Sequence, residues 1–149
     1  MPSYRTEDIR NITLVGHAGS GNTSLTKSLA FKAGILGDVV TVEAGTTVSD
    51  FTVQEKRHGH SLFNAIVHCD YQGKHINLID TPGSADFIGQ ALSALPAVET
   101  VAVVINAAAG IESMVRRMME RAKERQLCCM IVINKIDADI FFEFSKRFF

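Results

Sequence analysis

Eight residues near the N-terminus have the types and the spacing of a loop that binds phosphate. The segment Gly16–Thr23 reads Gly-His-Ala-Gly-Ser-Gly-Asn-Thr, which fits the pattern G-x-x-x-x-G-K-[ST] except at Asn22, where the pattern has lysine. Glycines let the backbone curl so that successive N–H groups point at phosphate oxygens, and the helix that follows adds partial positive charge. The Thr23 hydroxyl is a ligand that suits Mg²⁺. Taken alone, the segment is compatible with a phosphate loop and with an ordinary glycine-rich turn.

Two further segments carry side chains that suit a nucleotide. Asp80-Thr81-Pro82-Gly83 offers a carboxylate for a magnesium-bound water and a glycine N–H for a terminal phosphate, although alone it is also a good turn sequence. Asn134-Lys135-Ile136-Asp137 offers a carboxylate that can accept both the N1–H and the N2–H of guanine, a donor pair that adenine lacks. If the Asn-Lys-x-Asp motif is a coincidence, the competing interpretation is a site that binds ATP.

Each of these motifs follows a predicted strand. Short β-branched runs alternate with longer helical segments, a pattern typical of a mostly parallel sheet covered by helices. The predicted strands cover 11–15, 61–71, 75–79, 101–105 and 128–133, the second and third being a hairpin that turns at Gln72-Gly73. The second strand alternates, with Phe63, Ala65, Val67 and Cys69 on one side. The predicted helices cover 23–32 and 85–94, and a third carries the apolar stripe Ile111, Met114, Val115, Met118 and Ala122. Because ligands bind at the carboxyl ends of strands in such sheets, the three motifs are expected to meet.

Three regions of the sequence carry more specific structural predictions: the first helix, the last strand and the region 33–60. Leu25 and Leu29 are four residues apart, so they are expected to form the buried side of that helix. The apolar run 128–133 is expected to be a buried strand. The region 33–60 has weak periodicity and is predicted to be a long functional loop.

The order of the three motifs and their shared context give the chain a resemblance to a known family. Together with Arg10-Asn11-Ile12, Asp86-Phe87 and the run 132–137, they resemble the GTP-binding domain of translational GTPases, and within these elongation factor G and elongation-factor-G-like proteins. The similarity covers nearly all of residues 8–138. It implies a three-layer α/β phosphate-loop NTPase domain with a mostly parallel sheet, GTP and GDP as ligands with Mg²⁺, GTP hydrolysis, and the ribosome as partner.

The motifs and the resemblance together assign the candidate site residues. Those predicted to contact phosphates are Gly16, His17, Ala18, Gly19, Ser20, Gly21, Asn22, Thr23, Ser24 and Gly83. Those predicted to contact guanine are Asn134, Lys135 and Asp137. Those predicted to hold Mg²⁺ are Thr23, Ser61 and, through water, Asp80; Ser61 is implied by the resemblance alone, since it stands where the family has the threonine of its first switch.

Three departures from the family pattern bear on activity. Asn22 replaces the lysine that bridges the phosphates, and Ser84 stands where elongation factor G has the histidine that orients the attacking water, so hydrolysis is expected to be slow or absent. His17, inside the glycine-rich loop, is a candidate substitute for that histidine, and a surface residue of the loop is the alternative interpretation. By the resemblance, 1–149 forms a GTP-binding domain that lacks its last strand and helix, so the strand at 128–133 would become an exposed edge, and the phenylalanine-rich segment 138–149 has no assigned structure. The alternative function is a non-catalytic remnant or interaction module that keeps the fold and binds nucleotide weakly or not at all.

Composition limits the class of protein. The chain has 149 residues, 46% of them hydrophobic, and a formal net charge of −1, as expected for a globular domain rather than a disordered chain. No excess of positive charge favours DNA, and no apolar run approaches the ~20 residues needed to cross a bilayer, so neither DNA nor a membrane is expected as a partner. The three cysteines are expected to be small core residues in a reducing compartment, and the predicted localisation is cytoplasmic.

Overall fold

The computed structural model describes residues 4–34 and 61–137, and within them the chain forms one five-stranded sheet flanked by helices. The strands are β1 (Ile9–Gly16), β2 (Ala65–Tyr71), β3 (Lys74–Asp80), β4 (Thr100–Asn106) and β5 (Cys128–Asn134), and the helices are α1 (Asn22–Lys32), α2 (Ile88–Ala94) and α3 (Ser113–Glu124). Short 3-10 turns cover Thr6–Asp8, Ala85–Phe87 and Leu95–Ala97. No helix in these two ranges has the length and the apolar character to cross a membrane.

The strand order is β2-β3-β1-β4-β5, and only β2 runs antiparallel to its neighbour. The β2–β3 hairpin turns at Gln72 and Gly73, which both have positive φ, 49° and 74°. The parallel register pairs Leu14 with Asp80 and Asn106 with Asn134. The carboxyl ends of β1, β3, β4 and β5 therefore lie at the same end of the sheet. The predicted mostly parallel α/β fold is confirmed.

Helices cover the two faces of the sheet unequally. On one face, α2 and α3 pack against buried residues of β1 and β4, and α3 contributes four residues of the predicted stripe, Met114, Val115, Met118 and Ala122. Ile111, the fifth residue of that prediction, lies before α3 and is partly buried against the same cluster. On the other face, Leu25 of α1 packs against a smaller cluster around Leu14 and Leu78. The arrangement has three layers, with the sheet in the middle.

The prediction for the buried side of α1 was wrong in part. Leu29 is 42% exposed, whereas Thr26, Lys27 and Ala30 are buried. The rotation of the helix is set where it leaves the glycine-rich loop, because Asn22 is turned inward, and residues four and eight positions later lie on the same side. The loop, rather than the leucines, determines which side of α1 faces the sheet.

Strand β5 is an exposed edge, so the prediction of a buried strand at 128–133 was wrong, and the family-based expectation of an edge is confirmed. Cys128 and Cys129 are exposed, which corrects their assignment to the core; Cys69 is buried as expected. Ile131 is 55% exposed. The cause is topological, since β5 pairs only with β4 within the described residues. Apolar edges of this kind promote association between chains.

Smaller differences concern element boundaries. Phe63 lies before β2 and is exposed rather than part of its buried side. The helix predicted over 85–94 is a 3-10 turn followed by α2, and Pro96 belongs to the next 3-10 turn. Residues 35–60 of the long loop predicted at 33–60, and the segment 138–149, lie outside the described residues.

Candidate functional site

The loop that joins β1 to α1 wraps closely on itself. A Cβ at Gly16 would lie 2.5 Å from Ser20 Oγ and 2.5 Å from the Val104 carbonyl oxygen, so only glycine fits there. Gly19 and Gly21 have φ of 80° and 96°, values that favour glycine. The Ser20 N–H donates to the His17 carbonyl at 3.0 Å. This curled backbone leads directly into the N-terminus of α1, which is the arrangement that binds anions.

Asn22 is the first residue of α1, and its amide is directed into the loop. Its Oδ1 accepts a hydrogen bond from Ser20 Oγ at 2.9 Å, and the residue is only 7% exposed. The position that the phosphate-loop pattern gives to a cation therefore holds a neutral group with a structural hydrogen bond. The adjacent Ala18, Gly19 and Ser24 are exposed, as a ligand-accessible loop requires.

Two of the three residues predicted to hold Mg²⁺ lie close to each other in the structure. Thr23 Oγ1 lies 3.3 Å from Ser61 Oγ, although 38 residues separate them in sequence. Adjacent ligands of an octahedral Mg²⁺ with bonds of 2.0–2.1 Å are about 2.9 Å apart, so these hydroxyls fit one ion after a shift of a few tenths of an ångström. Asp80, at the end of β3, is 1% exposed with both carboxylate oxygens shielded from solvent. The donor set is all oxygen, which is the chemistry that Mg²⁺ prefers.

The segment after β3 lies directly against the phosphate-loop candidate. Thr81 Oγ1 donates to the Leu14 carbonyl at 2.7 Å, which anchors the segment to β1. A Cβ at Gly83 would lie 2.7 Å from both Ala18 N and the His17 carbonyl carbon. Gly83 therefore belongs to the same surface as the loop, and Ser84 follows it at the start of the Ala85–Phe87 turn.

Asn134 connects the third motif to the first. Its Nδ2 donates to the Ser20 carbonyl at 2.9 Å across 114 residues of sequence, and its own carbonyl accepts the Ala107 N–H at 2.9 Å. A Cβ on Gly21 would overlap Asn134 Nδ2. Lys135 has a positive φ of 58°, which turns the chain beyond β5, and Asp137 is exposed within the same short segment. The structure thus brings the glycine-rich loop and the Asn-Lys-x-Asp segment together.

One contact at the site was missed by sequence reasoning. His17 Nδ1 lies 3.2 Å from Glu112 Oε1, and Glu112 precedes α3. No spacing rule relates two residues so far apart in the chain. The sequence signal was limited to a histidine inside the loop and an acidic residue at the start of a predicted helix.

A second polar cluster lies away from the site, at the β2–β3 hairpin. Asp70 accepts hydrogen bonds from Tyr4 at 2.9 Å and from His75 Nδ1 at 2.8 Å. The bond from His75 is the main cause that holds the pKa of Asp70 below its usual value, and the bond from Tyr4 adds to it. The same carboxylate raises the pKa of Tyr4, whereas burial is the main cause that raises the pKa of the Cys69 thiol.

Known proteins are similar to this chain in sequence and in fold. The sequence model of the family described as elongation factor Tu GTP binding domain matches residues 7–147. Proteins named mitochondrial ribosome-releasing factor 2 are similar to the chain. The protein from Drosophila willistoni is 36% identical over 87% of the chain, and those from Danio rerio and Saccharomyces cerevisiae are 33% and 32% identical over the same share. These matches cover 18%, 17% and 16% of the relatives, so the chain spans less than a fifth of their length.

Solved structures agree with that similarity. A crystal structure of a protein from Thermus thermophilus is 33% identical and superposes with a TM-score of 0.87, covering 93% of this chain and 21% of that one. Elongation factor SelB from Methanococcus maripaludis, solved with the GTP analogue GppNHp, has a TM-score of 0.69 at 19% identity, covering 94% of this chain and 26% of that one. The second comparison supports the fold alone.

Proposed function

The chain belongs to the family that carries the elongation factor Tu GTP binding domain, as a translational GTPase domain of the elongation-factor-G-like kind, and from that premise we propose that it binds GTP and GDP together with Mg²⁺. The observation that carries the proposal is the hydrogen bond from Asn134 Nδ2 to the Ser20 carbonyl at 2.9 Å. That bond fixes the base-reading candidate and the phosphate-loop candidate to each other. A single nucleotide can then reach both.

Each group has a role that its chemistry supports. The backbone N–H groups of Gly16–Ser24 and the N-terminus of α1 hold the phosphates, and the Gly83 N–H contacts the terminal one. A bound Mg²⁺ would neutralise phosphate charge; Thr23 and Ser61 would hold it directly, and Asp80 would hold it through water. The Asp137 carboxylate accepts the two guanine N–H groups, while Asn134 and Lys135 pack around the base.

Two residues set the expected turnover. Asn22 supplies no positive charge between the phosphates, and removing one partner of a close charge pair costs about 2–5 kcal/mol. Ser84 is too short to orient water as the family's histidine does. We therefore propose weak binding with slow hydrolysis. The same two observations favour a second candidate, a non-catalytic remnant or interaction module that keeps the fold and binds nucleotide weakly or not at all.

The partner and the compartment are proposed from the relatives. Proteins named ribosome-releasing factor 2 suggest a ribosomal role for this chain as well. Their names also say mitochondrial, whereas the sequence predicted a cytoplasmic protein. Fractionation of the source cells into cytosol and organelles decides between the two compartments.

Calorimetric titration with GDP and with ADP, each in the presence of Mg²⁺, tests nucleotide binding and base selectivity. We expect GDP to bind with a weak but saturable isotherm and ADP to bind at least tenfold more weakly. Asp137→Ala should abolish the preference for GDP. Asp8→Ala is a matched control. Asp8 lies just before β1 and pairs with Lys74 at 2.6 Å, at the end of the sheet away from the candidate site. The assignment of Asp137 is contradicted if the unmodified chain binds GDP and ADP equally tightly. It is also contradicted if Asp137→Ala binds GDP as tightly as Asp8→Ala does.

A further inference from the structure

The contact between His17 and Glu112 has the geometry of an oriented imidazole. His17 Nδ1 lies 3.2 Å from Glu112 Oε1 and 3.0 Å from the Ala18 carbonyl oxygen. Both neighbours are acceptors, so a bond forms only if Nδ1 carries the hydrogen. In the neutral ring that leaves the lone pair on Nε2, which is the tautomer that can accept a proton from water.

Glu112 is available for this contact because it does not cap its own helix. It occupies the N-cap position of α3, where a side chain ordinarily bonds a backbone N–H of the first turn, yet it makes no side-chain capping bond there. It is also only partly exposed, with 30% of its side chain accessible. Its carboxylate is turned toward the glycine-rich loop instead of toward α3.

The backbone of His17 lies against the segment that is expected to contact the terminal phosphate. A Cβ on Gly83 would lie 2.7 Å from the His17 carbonyl carbon, and the next residue is Ser84. His17 therefore adjoins the position whose side chain is too short to orient water.

We propose that His17, oriented by Glu112, orients the attacking water during GTP hydrolysis, in the role that Ser84 does not fill. This inference rests on the proposed function. The water oxygen forms a bond to the γ-phosphorus as the bond from that phosphorus to the β–γ bridging oxygen breaks, and GDP leaves with the electron pair. The water proton passes to His17 Nε2 and then to inorganic phosphate or to solvent. His17 is the catalytic residue in this scheme, and Glu112 is a positioning residue.

The test is the single-turnover rate of GTP hydrolysis at protein concentrations well above the dissociation constant. His17→Ala should slow the reaction about 100-fold, the lower end of the range for general acid–base groups, while the GTP affinity changes by less than about threefold. Glu112→Gln should slow it about tenfold. Added imidazole should restore part of the rate of His17→Ala and should leave Glu112→Gln unchanged. His68→Ala is the control, since His68 is exposed on β2 and its rate should equal that of the unmodified chain.

The outcomes separate this inference from the proposed function. If the unmodified chain binds no guanine nucleotide by calorimetry, the proposed function fails and this inference fails with it. If the chain binds GTP and does not hydrolyse it, or if His17→Ala hydrolyses GTP at the unmodified rate, this inference alone is overturned. If His17→Ala loses rate that imidazole does not restore, and its unfolding midpoint is also lowered, then His17 has a structural role. That result also overturns this inference.

Discussion

The substitution Asn22→Lys is expected to raise GDP affinity, and the structure gives its magnitude. A lysine would place an ammonium between the phosphates, a gain of about 2–5 kcal/mol for a close charge pair. It would also remove the Oδ1 that accepts the Ser20 hydroxyl at 2.9 Å, a loss of about 0.5–1.5 kcal/mol. The central values leave roughly 2.5 kcal/mol, or about 70-fold in affinity. We expect at least a tenfold gain.

Titration calorimetry with GDP and Mg²⁺ measures this gain, and a neutral variant separates charge from structure. Asn22→Met has a side chain of similar length to lysine and also loses the bond to Ser20, so it should bind GDP no more tightly than the unmodified chain. An affinity of Asn22→Lys equal to that of the unmodified chain would refute the assignment of this loop to the phosphates. Equal gains from both variants would show that charge is not the cause.

Three further predictions concern the stability of the site and of its scaffold. Gly21→Ala should lower the free energy of unfolding by about 2–3 kcal/mol and weaken GDP binding, because φ is 96° and the new methyl group would displace the Asn134 amide. Met118→Ala should lower the free energy of unfolding by about 2–5 kcal/mol, because the side chain is fully buried between α3 and the sheet. Asp70→Asn should make the free energy of unfolding fall less steeply below about pH 4. Folding lowers the pKa of the Asp70 carboxyl, so this group stabilises the folded chain at pH values above its unfolded pKa, near 3.9. That contribution disappears as the pH falls through the folded pKa.

Urea denaturation measures the free energy of unfolding in all three variants, for Asp70→Asn across a series of pH values, and the first two variants have matched controls. Gly73→Ala has a similar φ of 74° but meets nothing within 4 Å, so it should lose stability without losing GDP affinity. Met130→Ala, at a side chain that is 46% exposed, should change the free energy of unfolding by less than about 0.5 kcal/mol. Equal losses from the two methionine variants, or an unchanged acid limb in Asp70→Asn, would contradict these predictions.

Periodicity in the sequence was sufficient where burial is one-sided and local. The stripe Met114, Val115 and Met118 predicted the buried side of α3, and the alternation along β2 predicted Ala65, Val67 and Cys69 as its buried residues, as found. These patterns depend only on spacing within one element and on its packing against one surface.

Periodicity failed where the burial of an element depends on something outside that element. The side of α1 that is buried follows from the loop before it, so Leu29 is exposed and Lys27 is buried. The exposure of β5 follows from its place at the end of the strand order, which its own apolar residues do not encode.

The candidate site shows the same division. The three motifs were predictable because each has a fixed local pattern. The hydrogen bond between Asn134 and Ser20 was expected only in the sense that the strand ends should meet. The pairing of His17 with Glu112 was not predictable, since it depends on where the loop before α3 passes the end of β1.

The central claim is that one guanine nucleotide contacts both the glycine-rich loop and the Asn-Lys-x-Asp segment. The most direct test follows the backbone amide resonances of the ¹⁵N-labelled chain by nuclear magnetic resonance during titration with GDP and Mg²⁺. The amides of 16–24 and of 134–137 should shift together along one saturation curve, and ADP should shift the second set little. Shifts confined to one of the two segments, or two curves with different midpoints, would contradict the claim.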